Sequence, residues 1–179
     1  MSVSSSNVVP PADPMARVYV GIGSNIDREA MTRSSVKRLR DCFGELTLSP
    51  VYESEAVGFE GENFYNLVAA FDTDLSVYDV DATLTMIENE HGRDQQQPRF
   101  TARTLDLDLL LYDDLIQHAQ GINLPRADIE EYAFVLYPLA DIASNTLHPE
   151  LGKTFHEMKY EKRFASQNVW QVDIDLANS

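Results

Sequence analysis

The sequence predicts an α+β protein, with helices packed on a mostly antiparallel sheet. Three observations lead there. Strand-like apolar runs and helical patterns alternate irregularly rather than as regular βαβ units. Short strand-like runs joined as a hairpin follow the polar stretch 94–101. The run RTLDLDLLLY at 103–112 alternates carboxylates with leucines, the period of a strand with two different faces.

Each element has its own local reason. Arg17 to Ile22 (RVYVGI) reads as the first strand, and Gly21 and Gly23 bracket its end. Ser24 or Asn25 can cap a helix running to about Phe43, with Ile26, Leu39, Phe43 and Leu46 on its apolar side and Gly44 as its stop. Thr47 to Tyr52 is a second strand, and Glu53 to Asn63 is a loop carrying Gly58 and Gly61. Tyr65 to Asp72 (YNLVAAFD) is apolar enough to be buried on both faces. Leu75 to His91 is a second helix, with Leu75, Val80, Leu84 and Ile87 on one side and Gly92 beyond its end. Asp94 to Thr101 (DQQQPRFT) is polar, aperiodic and contains Pro98, the composition of a mobile loop.

The carboxylate strand follows the loop. Asp113-Asp114 makes a turn, and Gly121 to Leu124 forms a short strand before Pro125. Glu130 to Ala143 holds a third helix, interrupted or entered near Pro138. The remainder is mixed, with Leu147-His148-Pro149 as a turn. The expected organisation is a flexible leader at 1–16, a single domain at 17–170 and an acidic tail at 171–179.

Composition narrows the function classes. The chain has 179 residues, 44% of them hydrophobic and 24% charged, enough for one domain with a real core. No apolar run approaches the length of a membrane span, so no membrane partner is expected. The net charge of −15 disfavours nucleic acid as a partner, because phosphate backbones demand a basic footprint, and none is expected. Met1 to Pro14 is rich in serine and proline and lacks the apolar stretch of a secretory signal. The lone cysteine, Cys42, sits in a helical pattern as a small packed residue, and a reducing, cytoplasmic compartment is expected.

An anionic ligand would need the few basic residues gathered in one place. Three arginines lie between positions 93 and 103, opposed only by Asp94. A rival cluster, Arg33, Lys37, Arg38 and Arg40, reads as the solvated face of the first helix. Asp106 and Asp108 point to one face of their strand, while Leu105, Leu107 and Leu109 point to the other. Acids on an apolar strand cost stability unless something compensates them, and a divalent cation is the obvious candidate. With Arg103 beside them, the pair suggests metal-assisted phosphoryl transfer.

The order of motifs sharpens this. VGIGSN ends the first strand. Tyr52 to Gly58 and Phe64-Tyr65-Asn66 come next, then Ile87-Glu88, Gly92-Arg93 and RTLDLDLLLYDD. Leu124-Pro125 and FVLYPL at 134–139 close the series. From about Val18 to Ile142 this series resembles the 6-hydroxymethyl-7,8-dihydropterin pyrophosphokinases. The resemblance implies a ferredoxin-like α+β fold and transfer of pyrophosphate from ATP to the pterin hydroxymethyl, leaving AMP, in folate biosynthesis. It implies two Mg²⁺ ions held by Asp106 and Asp108, with Arg93 and Arg103 sharing in catalysis. Glu88, Arg93, Arg99, Arg103, Leu109 and Arg126 would attend ATP. Gly23, Ser54, Val57, Phe64, Asn66, Phe100 and Phe134 would hold the pterin. A monomer is expected.

The chain also departs from the family pattern. Arg126 stands where the family carries a histidine, Tyr132 where it carries an arginine, and Gln95 where the loop has another arginine. Phe100 replaces a tryptophan, Phe64 a tyrosine, and Glu55-Ala56 a proline-rich turn. Losing two cations from a highly charged transition state motivates an alternative, a divergent paralogue that binds pterin or nucleotide with weak or no turnover. A non-enzymatic module with purely structural acids is a third reading.

Overall fold

The computed structural model of the protein describes residues 14–92, 105–177 and 179. Its elements run in the order β1 (Ala16–Ser24), α1 (Arg28–Phe43), β2 (Thr47–Leu48), β3 (Val51–Ser54), β4 (Phe64–Thr73), α2 (Val77–Glu90) and β5 (Asp106–Tyr112). The β6 (Gln117–Ala119) and β7 (Ile122–Leu124) hairpin follows. Then come α3 (Asp128–Glu131), α4 (Ala133–Ile142), α5 (Phe155–Lys159), α6 (Lys162–Ala165) and β8 (Val169–Val172).

The main sheet has the order β5-β1-β4-β3-β8, and β2 pairs with β4 beside β3. Every pairing is antiparallel. The expected class, α+β with helices on a mostly antiparallel sheet, is the one observed.

The two faces of the sheet build two cores, because side chains alternate along each strand. Val18, Val20 and Ile22 of β1 and Leu67, Ala69 and Phe71 of β4 face α1 and α2, where Val36, Leu39, Val80, Leu84 and Ile87 meet them. Tyr19, Val68 and Ala70 face the other way, against Ile129, Leu136, Leu139, Phe155 and Phe164. The central strands therefore read as unbroken apolar runs. A bulge between Tyr19 and Val20 sets Leu111 and Leu109 opposite successive residues of β1. The extra residue puts Leu110 and Leu111 together in the second core.

Three sequence expectations change. Helix α1 starts at Arg28, after Asp27 in the left-handed conformation (φ 47°), and Asp27 makes no side-chain cap. Ser24 and Asn25 are instead buried ahead of the helix, where Asn25 Nδ2 donates to Glu62 O at 3.1 Å. Ile26 therefore precedes the helix and is 39% exposed, and the buried stripe is Thr32, Ser35, Val36 and Leu39. The second strand is split at Ser49-Pro50, because Pro50 has no N–H for a ladder. Ser49 Oγ accepts the Val68 N–H at 2.8 Å across the break. The third helix breaks at Tyr132, in extended conformation, and Pro138 lies inside α4.

The acidic segment 171–179 is not a free tail. Strand β8 pairs with all of β3, and Leu176, only 6% exposed, reaches the first core. Arg33 Nη1 donates to Asp175 O at 2.6 Å, and Arg40 donates to Ser179 O. Arg38 bridges to Glu90 at 2.8 Å. Much of the basic face of α1 is thus spent inside the fold. The turn at Leu147-His148-Pro149 is present, closed by His148 Nδ1 accepting the N–H groups of Glu150 and Leu151 at 3.2 Å each.

Leu176→Ala should cost about 2 kcal/mol, the low end for a buried leucine. Thermal unfolding should register this as a Tm lower by roughly 4–8 °C. An unchanged Tm would mean that the segment does not contribute to the core.

Candidate functional site

The site begins with register. On β5, Asp106 pairs with Gly23 and Asp108 with Gly21. Leu105, Leu107 and Leu109 lie in the first core, so the two acids share the opposite face, as their spacing predicts. Gly23 in turn pairs with Asn66 on β4. The two glycines carry no side chain on this face. The acids and Asn66 therefore look across a low floor. A Cβ at Gly23 would lie 3.7 Å from Asn66 Oδ1 and 3.9 Å from the Phe64 ring.

Glu88 fixes the strand between its two acids. Its buried carboxylate, on α2, accepts the Leu107 N–H at 2.9 Å. Leu107 lies on the outermost strand of the sheet, where the N–H groups facing away from β1 would otherwise lack a partner. This bond ties α2 to β5 at the point where the acids project.

The charges are unevenly matched. Arg126 Nη2 lies 3.4 Å from Asp108 Oδ1, and its Nε donates to Asp128 Oδ2 at 3.0 Å. Its backbone N–H donates to Leu110 O at 3.1 Å, which holds the Arg126 loop against β5. Burial pushes the Asp108 carboxyl well above the usual carboxylate range; Asp106 raises it further, Arg126 opposes the shift and Asp128 adds to it. Burial disfavours the Arg126 cation, and Asp108 and Asp128 more than offset that. Among the described residues, one guanidinium, Arg126, meets the carboxyl groups of Asp108 and Asp128, with Asp106 beside them, an oxygen-rich locus suited to a cation.

A cleft of about 270 Å³ opens beside the acids, between α2, the outer edge of β5 and the β6–β7 hairpin. Asp108 and Arg126 lie on its wall, with Glu88, Leu84 and Asp81 from α2 and Ile122 and Asn123 from the hairpin. Leu109 lines it from β5, buried on the core face and not on the face of the acids.

On the other side of the glycine floor lies an amide among aromatics. Asn66 Nδ2 donates to Ser54 Oγ at 2.8 Å and to Tyr52 O at 3.3 Å. Both amide hydrogens are spent, so Asn66 offers Oδ1 as an acceptor beside Gly23. Phe64 is half-buried at the start of β4, and Phe59 packs edge-on against it at 6.3 Å. Gly61 lies directly beneath Phe59, where a Cβ would come within 2.7 Å of the ring. Phe134 opens α4 and stacks on Tyr132, with centroids 4.9 Å apart and planes at 18°. The position that lacks the family's arginine thus supports an aromatic ring.

Of the sequence-predicted residues, Asp108, Glu88, Leu109 and Arg126 line the cleft, Asp106 sits two residues before Asp108 on the same strand face, and Gly23, Ser54, Asn66 and Phe64 cluster beyond the glycine floor. Phe134 projects from α4, which packs on the same side of the sheet. Val57 lies in the loop after β3 and is 40% exposed. Arg93, Arg99, Arg103, Phe100 and Gln95, like the loop expected at 94–101, lie outside the described residues. Sequence reasoning missed Phe59, Asp81, Asn123 and Asp128. An aromatic residue between Gly58 and Gly61 in a polar loop was the one available signal for Phe59. Asp81, Asn123 and Asp128 look like ordinary surface residues until the fold brings them together.

The description "7,8-dihydro-6-hydroxymethylpterin-pyrophosphokinase" belongs to the family model that matches residues 19–144. The chain is 34% identical over 149 residues to the Aquifex aeolicus 2-amino-4-hydroxy-6-hydroxymethyldihydropteridine pyrophosphokinase, covering 82% of this chain and 92% of that protein. The Pseudomonas aeruginosa protein of the same name is 38% identical over 141 residues, covering 75% and 85%. The folic acid synthesis protein FOL1 of Dictyostelium discoideum is 37% identical over 145 residues, 79% of this chain and 22% of that longer one. Among solved structures, a Plasmodium falciparum HPPK-DHPS triple mutant with pteroate superposes with a TM-score of 0.70 over 92% of this chain and 48% of that one, at 11% identity. That likeness concerns the fold. Matched over most of its own length by the family model and by these bacterial relatives, the chain belongs to the 7,8-dihydro-6-hydroxymethylpterin-pyrophosphokinase family.

Proposed function

We propose that this pyrophosphokinase transfers the pyrophosphoryl group of ATP to the hydroxymethyl group of 6-hydroxymethyl-7,8-dihydropterin, releasing AMP, in folate biosynthesis. ATP occupies the cleft between α2 and β5, and the pterin lies on the Asn66 side. The observation that carries this reading is the position of Asp106 and Asp108. Asp108 lines the cleft, and Asp106, on the same face of β5, pairs with Gly23, whose other neighbour is Asn66 on β4 beside Phe64.

The residues present fit Mg²⁺. Its preference is for hard oxygen ligands, one or two carboxylates completed by water and phosphate. Asp106 and Asp108 offer that donor set, and burial beside Asp106 holds the Asp108 carboxyl well above the usual range, a cost that a bound cation would offset. Two Mg²⁺ ions held there would neutralise phosphate oxygens and acidify the attacking hydroxyl. Glu88 keeps β5 in place beneath the acids. Arg126 holds a guanidinium at the cleft wall, where it can donate to phosphate oxygens. Arg93, Arg99 and Arg103 are assigned to the same anion.

Asn66 Oδ1 accepts from a pterin N–H, and Ser54 holds the amide in that orientation. Phe64 and Phe134 supply apolar faces for a flat heterocycle, with Phe59 and Tyr132 as their supports. Phe100, Val57 and Gly23 complete the pterin set, and Leu109 the nucleotide set. Both subsites come from one chain, in keeping with a monomer, and a cytoplasmic location completes the reading.

The deciding experiment supplies ATP, Mg²⁺ and hydroxymethyl-dihydropterin and follows the nucleotide product. Pterin-dependent AMP is expected; ADP, or no turnover at high enzyme concentration, would refute the assignment. Asp106→Ala and Asp108→Ala should each lower kcat by about a thousandfold, roughly 4 kcal/mol of barrier. Asn66→Ala should raise the KM for pterin about tenfold and leave the KM for ATP unchanged, as loss of one well-placed hydrogen bond predicts.

The Asp108 carboxyl also predicts a trade between stability and function. Its folded value lies above the unfolded one, so the native state binds more protons. Stability from this group is therefore full below about pH 4, the ordinary carboxylate value, and is lost as pH rises through the folded value. In EDTA at pH 8, Asp108→Asn should raise Tm, and the gain should vanish below pH 4. A lower Tm at pH 8 would mean that the ionised carboxylate stabilises the metal-free fold.

A further inference from the structure

We infer that Asp81 reads the nucleobase: its carboxylate accepts a hydrogen bond from the exocyclic 6-amine of adenine at the far end of the α2–β5 cleft. The inference rests on the reading that ATP occupies this cleft. Orientation follows from charge. Asp108 and Arg126 mark the phosphate end, and Glu88 is fixed there by the Leu107 N–H. Asp81 precedes Glu88 by seven residues on α2, which is about 10 Å along the axis. An acid at that distance repels phosphates and leaves its end of the cleft to the uncharged part of the nucleotide.

The surroundings suit a flat heterocycle. Leu84 and Ile122 line the cleft with apolar surface, while Asp81 and Asn123 line it with polar groups. Asp81 is half-buried, and among the described residues nothing donates a hydrogen bond to its carboxylate. Burial pushes that carboxyl up, and Arg126 opposes the shift. Asn123 is committed at one atom. His118 Nδ1 contacts Asn123 Oδ1, and His118 Nε2 lies 2.9 Å from Glu150 Oε1. An amide oxygen can only accept, so His118 Nδ1 donates to Asn123 Oδ1, and the Asn123 amide hydrogens are left as donors.

The edge of the base thus meets an acceptor from Asp81 and a donor from Asn123. Adenine presents the complement, an amine beside a ring nitrogen. A 6-oxo purine reverses both, setting its carbonyl oxygen against the carboxylate.

The test compares ATP with ITP and GTP in the pterin-dependent assay, following release of the nucleoside monophosphate, for the wild type, Asp81→Asn and Asp81→Leu. The wild-type KM should be at least tenfold higher for ITP and GTP than for ATP, as a mismatched hydrogen-bond edge predicts. Asp81→Leu should bring the ratio close to one, mainly by raising the KM for ATP, with kcat unchanged. Asp81→Asn keeps an acceptor oxygen and should keep part of the preference. Equal use of the three triphosphates by the wild type, or an unchanged ratio in Asp81→Leu, would overturn the inference. If no triphosphate yields a monophosphate with the wild type, the underlying function fails, and the inference with it.

Discussion

Everything at the site hangs on the register between β5 and β1. Because side chains alternate with a period of two, pairing Asp106 with Gly23 and Asp108 with Gly21 puts both acids over the glycines and Leu107 and Leu109 in the core. A slip of one residue would bury the acids and expose the leucines. Two features hold the register: the paired cores on either side of the sheet, and the bond from the Leu107 N–H to Glu88. Glu88 is a buried acid, and this bond gives its carboxylate a backbone partner on β5. It joins the helix that walls the cleft to the strand that carries the acids.

The second constraint is electrostatic. A chain of net charge −15 must hold a highly anionic nucleotide, so favourable charge has to be local. Much of the basic face of α1 is spent on Glu29, Glu90 and the carbonyls of the C-terminal segment, which fasten that segment to the domain. Arg126 is placed differently. It lies between Asp108 and Asp128 at the edge of the cleft, where it offsets part of the charge of the acids.

The departures from the family pattern acquire physical content from the fold. Tyr132 does not leave a hole where a cation belongs; it stacks on Phe134. Phe64 gains an edge-on partner in Phe59, seated on a loop so tight that Gly61 has no room for a side chain. At both positions the departure is absorbed by aromatic packing.

Much of this was legible in the residues themselves. The period-two run at 105–109 determined which way the acids face, and the apolar run at 65–72 determined that β4 is covered on both sides. The stop at Gly44 is local chemistry, independent of the rest of the chain. The split of the second strand has a local cause, the missing N–H of Pro50. The start of α1 and the docking of 171–179 depend on partners distant in sequence, Glu62 in one case and β3 with α1 in the other. The same holds for Asp81, Asn123 and Asp128, which no spacing rule connects. Local spacing sets the direction of a side chain, because backbone geometry repeats every two or 3.6 residues. Only tertiary structure decides which directions converge on a common volume, because that depends on which strands pair and which helices cover them.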